Sequence, residues 1–328
     1  MVPGMSQFPV FTRFICFMGA LLALSLTACT ASYPRVPATL IQDNVHTGGS
    51  LVRFNRAADR LVSGGWEGRL VLWALPSGER LRSWRAHAGS VNGAAFIRHD
   101  EQLLTAGYDG RLVQWTLQGG LLRERVSASP ITAMALSEAR DRIVTGHADG
   151  QLRIWSLRTL APLDEFPVLQ HPVKALALNE RDGAIAASGE RGEVVLLDAK
   201  GGWRPLPYGP TDTWTLDFSP DGRTLMGAGW FRLHRWQLPA GELTTLPTEH
   251  HGIIKSLHYS ADGHTLVSIS RQTDSAVNFL DPKTGATLRR FQRHALCGGD
   301  VRLSENGEFL ASTADDASVR IWDLRSVK

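Results

Sequence analysis

The chain has 328 residues, 43% hydrophobic and 20% charged, with a formal net charge of +3 at pH 7. That is enough for one large domain or two small ones, and a domain of about 300 residues buries roughly three quarters of its unfolded surface. The small basic excess forms no lysine or arginine block, which argues against a nucleic-acid partner.

Arg13 is the only charge before residue 35, and residues 14–26 form an apolar stretch. It is short for a membrane span of about 20 residues but suits the apolar core of a secretory signal. Leu26-Thr27-Ala28-Cys29 follows, small residues ahead of a cysteine. This resembles the lipobox of bacterial lipoproteins. The resemblance implies a cleaved signal over residues 1–28, acylation of Cys29, and a tether over residues 29–37. More than one acyl chain gives stable anchoring. Thr30 stands where an aspartate would mark inner-membrane retention, so the expectation for a Gram-negative source is the outer membrane, facing the periplasm. Cys16 leaves with the signal, and Cys297 is then alone, a small buried hydrophobe with no intramolecular disulfide.

Beyond residue 38 the chain repeats itself. "EGRLVLW", "DGRLVQW", "DGQLRIW" and "DASVRIW" each set a tight turn before an alternating run, the signature of an amphipathic strand. The residues ending these runs and their counterparts are Trp73, Trp115, Trp155, Leu197, Trp236, Phe279 and Trp322, spaced 39–43 residues apart. A four-stranded propeller blade takes about 40–45 residues. Before each lies an apolar triplet, such as Val91, Ala94 and Phe96, or Ile131, Met134 and Leu136. Polar turns follow, such as "SPDG", "SADG" and "SENG", where glycine accepts positive φ. Arg80, Arg82 and Arg85 read as the solvent side of a strand.

These units resemble WD40 repeats over residues 38–328, which implies an all-β, seven-bladed β-propeller. In that family a hydrogen-bonded tetrad joins a loop histidine, a strand hydroxyl, a turn aspartate and the tryptophan. The resemblance assigns His87, Thr105, Asp109 and Trp115 to blade 2, and His294, Ser312, Asp316 and Trp322 to blade 7. Blade 3 keeps Thr145, Asp149 and Trp155 but has Ala128 or Ser129 where the histidine would fall. Blade 1 offers His46, Ser63 and Trp73, with Glu67 for the aspartate. Blades 4 to 6 depart further: Leu197 and Phe279 replace tryptophan, Arg191 and Trp230 stand at the aspartate position, and Asp274 is one residue out of step. The last unit lacks a fourth strand, and residues 38–45 have a strand pattern, so the N-terminal strand is expected to complete the seventh blade.

Catalytic signatures are missing: there is no Walker loop, G-x-S-x-G elbow, H-E-x-x-H or C-x-x-C-H. Glu249, His250 and His251, with His258 and His264, read as structural or solvated rather than as a metal site. The innermost strands look apolar or small, with Lys174, Asp217 and Lys255 as exceptions, which counts against channel chemistry. The loop face should display Trp66, Tyr108, His147, Trp230 and Phe231, with Arg232, Arg271 and Glu190. The expected function is a non-catalytic scaffold, lipid-anchored in the envelope and binding a protein partner, without cofactor, metal, nucleic acid or small-molecule substrate. The alternative is an enzyme or small-ligand binder using the central channel.

Overall fold

The computed structural model describes residues 34–198, 202–272 and 274–326. The segments read as a signal and a lipobox, with Cys29, lie outside them. Seven four-stranded antiparallel sheets are arranged in a ring, and each is a blade. Blade 1 runs outward through Gly49–Phe54, Arg60–Gly65, Arg69–Ala74 and Arg80–Arg85. The innermost strands of blades 2 to 7 are Val91–Ile97, Ile131–Ser137, Val173–Leu178, Thr215–Phe218, Ile253–Tyr259 and Gly298–Leu303. Each packs on the next, and the last packs on Gly49–Phe54 to close the ring.

Burial follows radial position. The second strands are buried on both faces, as in Gln102–Gly107 and Phe309–Ala314. The outermost strands face water: Arg80, Arg82 and Arg85 are all exposed. Between each pair of blades lies one apolar cluster, seven in all among the described residues. Trp115 joins Leu51, Val62 and Leu70 of blade 1 to Val91, Leu103 and Val113 of blade 2. Trp155, Trp236 and Trp322 do the same at later interfaces. Such a tryptophan truncated to alanine costs about 3–5 kcal/mol, so these residues space the ring.

The turn before the anchor strand is built by short polar contacts. Gly110 sits at φ +78, and the Asp109 carboxylate accepts the Arg111 N–H at 3.1 Å. A residue with a Cβ would be strained there.

The seventh blade is Gly298–Leu303, Phe309–Ala314 and Val319–Asp323, with Leu40–Gln42 as its outer strand, antiparallel to Val319–Asp323. The ring's contacts begin earlier still, inside the segment read as a tether. Val36 bridges to Phe291 of blade 6, donates to the Arg290 carbonyl at 2.9 Å and accepts from the Gln292 N–H at 2.8 Å. The blade 7–blade 1 seam is tight. A Cβ on Gly49 would overlap the Thr313 side chain, whose hydroxyl is held by the Ser318 carbonyl at 3.2 Å. Gly49→Ala should therefore cost about 1–3 kcal/mol, the usual range for overpacking. Urea denaturation checks this; a midpoint equal to the native one would mean that the seam yields freely.

Candidate functional site

The tetrads come first, because they hold the loop face. In blade 2 the chain of bonds is complete. The Trp115 indole N–H donates to the Thr105 hydroxyl at 2.9 Å, that hydroxyl meets His87 Nε2 at 2.8 Å, and His87 Nδ1 meets Asp109 at 2.9 Å. Asp109 also accepts the Ala88 N–H at 2.9 Å, tying the loop to the turn. Burial alone would raise this carboxyl, but the His87 and backbone hydrogen bonds bring it down to about 2. Blade 1 is complete as well: Glu67 reaches His46 at 3.0 Å, and Ser63 takes both the histidine and the Trp73 N–H. The extra methylene of glutamate spans the gap.

Three blades depart from expectation. In blade 7, His294 joins Asp316 at 3.1 Å and Ser312 at 2.7 Å, but the Trp322 N–H donates to the Val36 carbonyl at 3.1 Å. The incoming N-terminal segment has replaced the hydroxyl as acceptor. In blade 3, His147 is not on the surface. It is fully buried, bonded to Thr145 at 2.7 Å and to the Ser129 carbonyl at 3.1 Å, while Trp155 donates to Thr145 at 2.8 Å. It fills the place of the missing loop histidine from the strand side. Asp149, left without a histidine to hold, pairs with Arg153 at 2.9 Å. In blade 6, Asp274 is close enough despite its register: it meets His250 at 3.2 Å and accepts the His251 N–H at 3.0 Å, and His250 reaches Ser268 at 2.8 Å.

Blade 5 holds a substitute that was not foreseen. His234 lies two residues before Trp236, is fully buried, and meets Thr213 at 3.1 Å. The two rings stand edge to face at 5.9 Å, and the Trp236 N–H donates to the Pro207 carbonyl. Burial lowers both His147 and His234 to about 4.

On the loop face, Trp66 is 45% exposed, Tyr108 53% and Phe231 44%. Backbone bonds fix the first two to the inter-blade loops: Trp66 N–H donates to the Gly48 carbonyl and Tyr108 N–H to that of Ser90. Arg271 lies over the Trp66 ring at 5.5 Å and pairs with Asp315 at 2.8 Å, so blades 6, 7 and 1 meet there. Trp230 is half-buried; its ring lies 5.4 Å from Phe231, and its backbone bridges to Ile253 of blade 6. Arg232 is exposed beside them.

The central channel corrects a second expectation. Its polar lining is one-sided, not sparse. The register-equivalent residues of the seven innermost strands are Arg53, Ala95, Ala135, Ala177, Asp217, His258 and Arg302. Blades 2 to 4 thus supply alanine, and blades 5, 6, 7 and 1 supply charge or imidazole. Asp300 is the hub of the polar half. It accepts from the Val52 N–H at 3.1 Å, from the Ser256 hydroxyl at 2.5 Å and from the Arg53 guanidinium, with Arg302 at 3.9 Å. Burial would raise its carboxyl, but Arg53 and Arg302 hold it well below the usual range. His258, read from the sequence as structural or solvated, lines this channel, 3.1 Å from Ser256 and 3.6 Å from Asp217; burial lowers it to about 4.

The acid and histidines read as structural or solvated are dispersed. Glu249 pairs with Arg290, His250 belongs to its tetrad position, and His264 is exposed. Among the described residues no group of three or more His, Cys, Asp or Glu is placed to hold a metal ion.

Comparison with known proteins agrees with this architecture. The family described as "WD domain, G-beta repeat" matches residues 78–116, 121–156 and 285–323. Each match ends at an anchor strand, and so begins with the outer strand of the blade before; this offset is why the last repeat needs Leu40–Gln42. DDB1- and CUL4-associated factor 10 of Danio rerio is 32% identical over 29% of this chain and 18% of its own length. WD repeat-containing protein SL1-17 of Schistosoma mansoni is 27% identical over 56% of this chain and 62% of its own. Nuclear distribution protein PAC1 of Arthroderma otae is 41% identical over 20% of this chain and 13% of its own. The chain therefore spans less than two thirds of the length of each of these relatives. With seven closed blades and repeats of this kind, the chain is a seven-bladed β-propeller carrying WD40 repeats.

Proposed function

We propose that the protein is a non-catalytic scaffold that binds a protein partner through the loop face and is held at the cell envelope by acylated Cys29, in a Gram-negative source at the outer membrane, facing the periplasm. The observation that carries the partner reading is the set of exposed aromatic side chains, Trp66, Tyr108 and Phe231, on backbone-fixed turns. Aromatic residues on rigid supports contribute large contact area at low entropic cost and dominate interface energetics. One similar protein is named for association with DDB1 and CUL4, which is in keeping with a ring that works by assembling other chains.

The alternative, chemistry in the channel, is less well supported by the same geometry. Asp300 is engaged by three donors, and Asp217 accepts the Tyr259 N–H at 2.8 Å. A general acid or base needs a carboxyl free to reach substrate and a pKa near the working pH.

The test is crosslinking and pull-down from envelope membranes. Trp66→Ala/Tyr108→Ala, shown to be folded, should reduce recovery of the partner at least thirty-fold, matching a hot-spot loss of about 2 kcal/mol. Undiminished recovery would move the interface elsewhere on the ring. Cys29→Ser should shift the protein from the membrane to the soluble fraction; retention in the membrane would refute the lipid anchor.

A further inference from the structure

One residue in or directly before each innermost strand lies at the loop-face mouth of the channel, in most blades as a β-bulge. These residues are Ser50, Asn92, Thr132, Lys174, Trp214, Lys255 and Gly299. All seven line a cavity of about 170 Å³ at the centre of the ring. It opens at the loop face, since Gly48 and Ser90, which hold Trp66 and Tyr108, lie two residues before the first two of them. Four blades contribute small or neutral groups. Blades 4, 5 and 6 contribute two lysines with a tryptophan between them: Lys174 Nζ lies 5.1 Å and Lys255 Nζ 5.5 Å from the centre of the Trp214 ring.

Glu190 is 3.2 Å from Lys174, and Asp315 pairs with Arg271 through Oδ2, its buried Oδ1 making no hydrogen bond. Among the described residues the Lys255 ammonium has no hydrogen-bonded acceptor, and the buried Trp214 N–H has none either. We infer that Lys174, Trp214 and Lys255 form a receptor for the carboxylate of an aspartate or glutamate side chain, inserted into the channel mouth from an acidic segment of the bound partner. This rests on the reading of the loop face as the partner-binding surface. The cavity's size favours a side chain over a metabolite, because small-molecule pockets run to about 300–1,000 Å³. Aliphatic lysine stems and the indole face would enclose the acid's methylenes, and charge-assisted hydrogen bonds would take its oxygens. Burial, with the neighbouring Arg271 and Lys174 charges, lowers Lys255 to about 8 against the pull of Asp300 and Asp315, so an arriving carboxylate adds a direct partner for the cation.

Fluorescence anisotropy on the full chain tests this with three probes: a labelled peptide of alternating Glu and Gly, the same peptide with Gln for Glu, and free glutarate as competitor. The Glu peptide should bind, and the Gln peptide should bind at least tenfold more weakly. Lys255→Met and Lys174→Met should each weaken the Glu peptide at least tenfold. Glutarate should compete only at far higher concentration than unlabelled Glu peptide. Equal binding of the two peptides, no binding of either, or no effect of Lys255→Met would overturn the assignment. Glutarate competing at peptide concentrations would identify a free acid as the occupant and overturn the side-chain source. Should Lys255→Met fail to fold, Lys174→Met decides, since the Lys174 side chain is 28% exposed and its loss leaves no cavity in the core. If the acidic peptide fails while partner crosslinking still depends on Trp66 and Tyr108, only this inference falls. If crosslinking is insensitive to those residues, the loop-face reading falls with it.

Discussion

Asp300→Ala should destabilise the propeller by about 3–5 kcal/mol, the range for removing one partner of a buried ion pair. The carboxylate joins three blades: it takes the Val52 N–H and the Arg53 guanidinium of blade 1 and the Ser256 hydroxyl of blade 6, from its own place in blade 7. Alanine would leave two arginine charges facing each other with the Val52 N–H unpaired. Burial already lowers Arg302 to about 9, with the Arg53 charge as the next cause, so loss of the carboxylate would leave two mutually repelling cations. Arg53→Met/Asp300→Met should recover much of the loss, because a buried pair exchanged for apolar groups is often neutral or stabilising. The exposed pair Arg56–Glu305, 3.8 Å apart, serves as control and should contribute no more than about 1 kcal/mol. Urea unfolding at pH 7 reads all four proteins. A cost below about 1 kcal/mol for Asp300→Ala would show that water or backbone adjustment replaces the carboxylate.

The same hub explains what the sequence concealed. The blade count was legible because each interface is spaced by one large anchor residue, and Leu197 and Phe279 keep that place by size even without the tryptophan N–H. The substituted histidines were not legible. A search fixed on the loop position finds nothing in blade 3 or blade 5, yet His147 and His234 reach similar hydroxyl-bonded sites from strand positions. The signal was their place, two residues after Thr145 and two before Trp236. The channel was misread for another reason. Asp217 was legible as a channel residue, but Arg53, His258 and Arg302 each stand alone among apolar residues, which reads as alternation toward solvent. In a ring the inward direction of the innermost strand is the channel, and only a register comparison of all seven strands separates the alanine half from the charged half. Trp66, Tyr108 and Phe231 are exposed, on turns beside glycine that have little room to bury a large side chain.

Stability should fall steeply as pH drops from 7 to 5, and buried histidines should account for most of the fall. His147, His234 and His258 all lie near 4, because burial disfavours the imidazolium. In the unfolded chain each titrates near 6.5. The unfolded state therefore binds the extra protons first. The stabilising contribution is complete above about 6.5 and is lost progressively as pH falls toward 4. At about 1.4 kcal/mol per unit, each histidine loses up to ~2 kcal/mol by pH 5, before any adjustment of the fold. Burial lowers His46 and His294 too, so they add in the same direction. The tetrad carboxylates do not contribute in this window. Asp109 is held near 2 by its partners, so its share is lost only below about pH 4. His147→Gln isolates one site, because the amide can donate to the Ser129 carbonyl and accept from the Thr145 hydroxyl without titrating. Its unfolding free energy should depend less steeply on pH between 7 and 5 than that of the native chain, by up to ~2 kcal/mol over the interval. Urea midpoints at half-unit pH steps measure both curves. Parallel curves would mean that His147 charges at no cost, and a flat native curve would mean that the buried imidazoles reach water. In blade 3 the hydrogen bonds of the histidine go to the Thr145 hydroxyl and the Ser129 carbonyl, so no carboxylate among the described residues is hydrogen-bonded to stabilise its imidazolium.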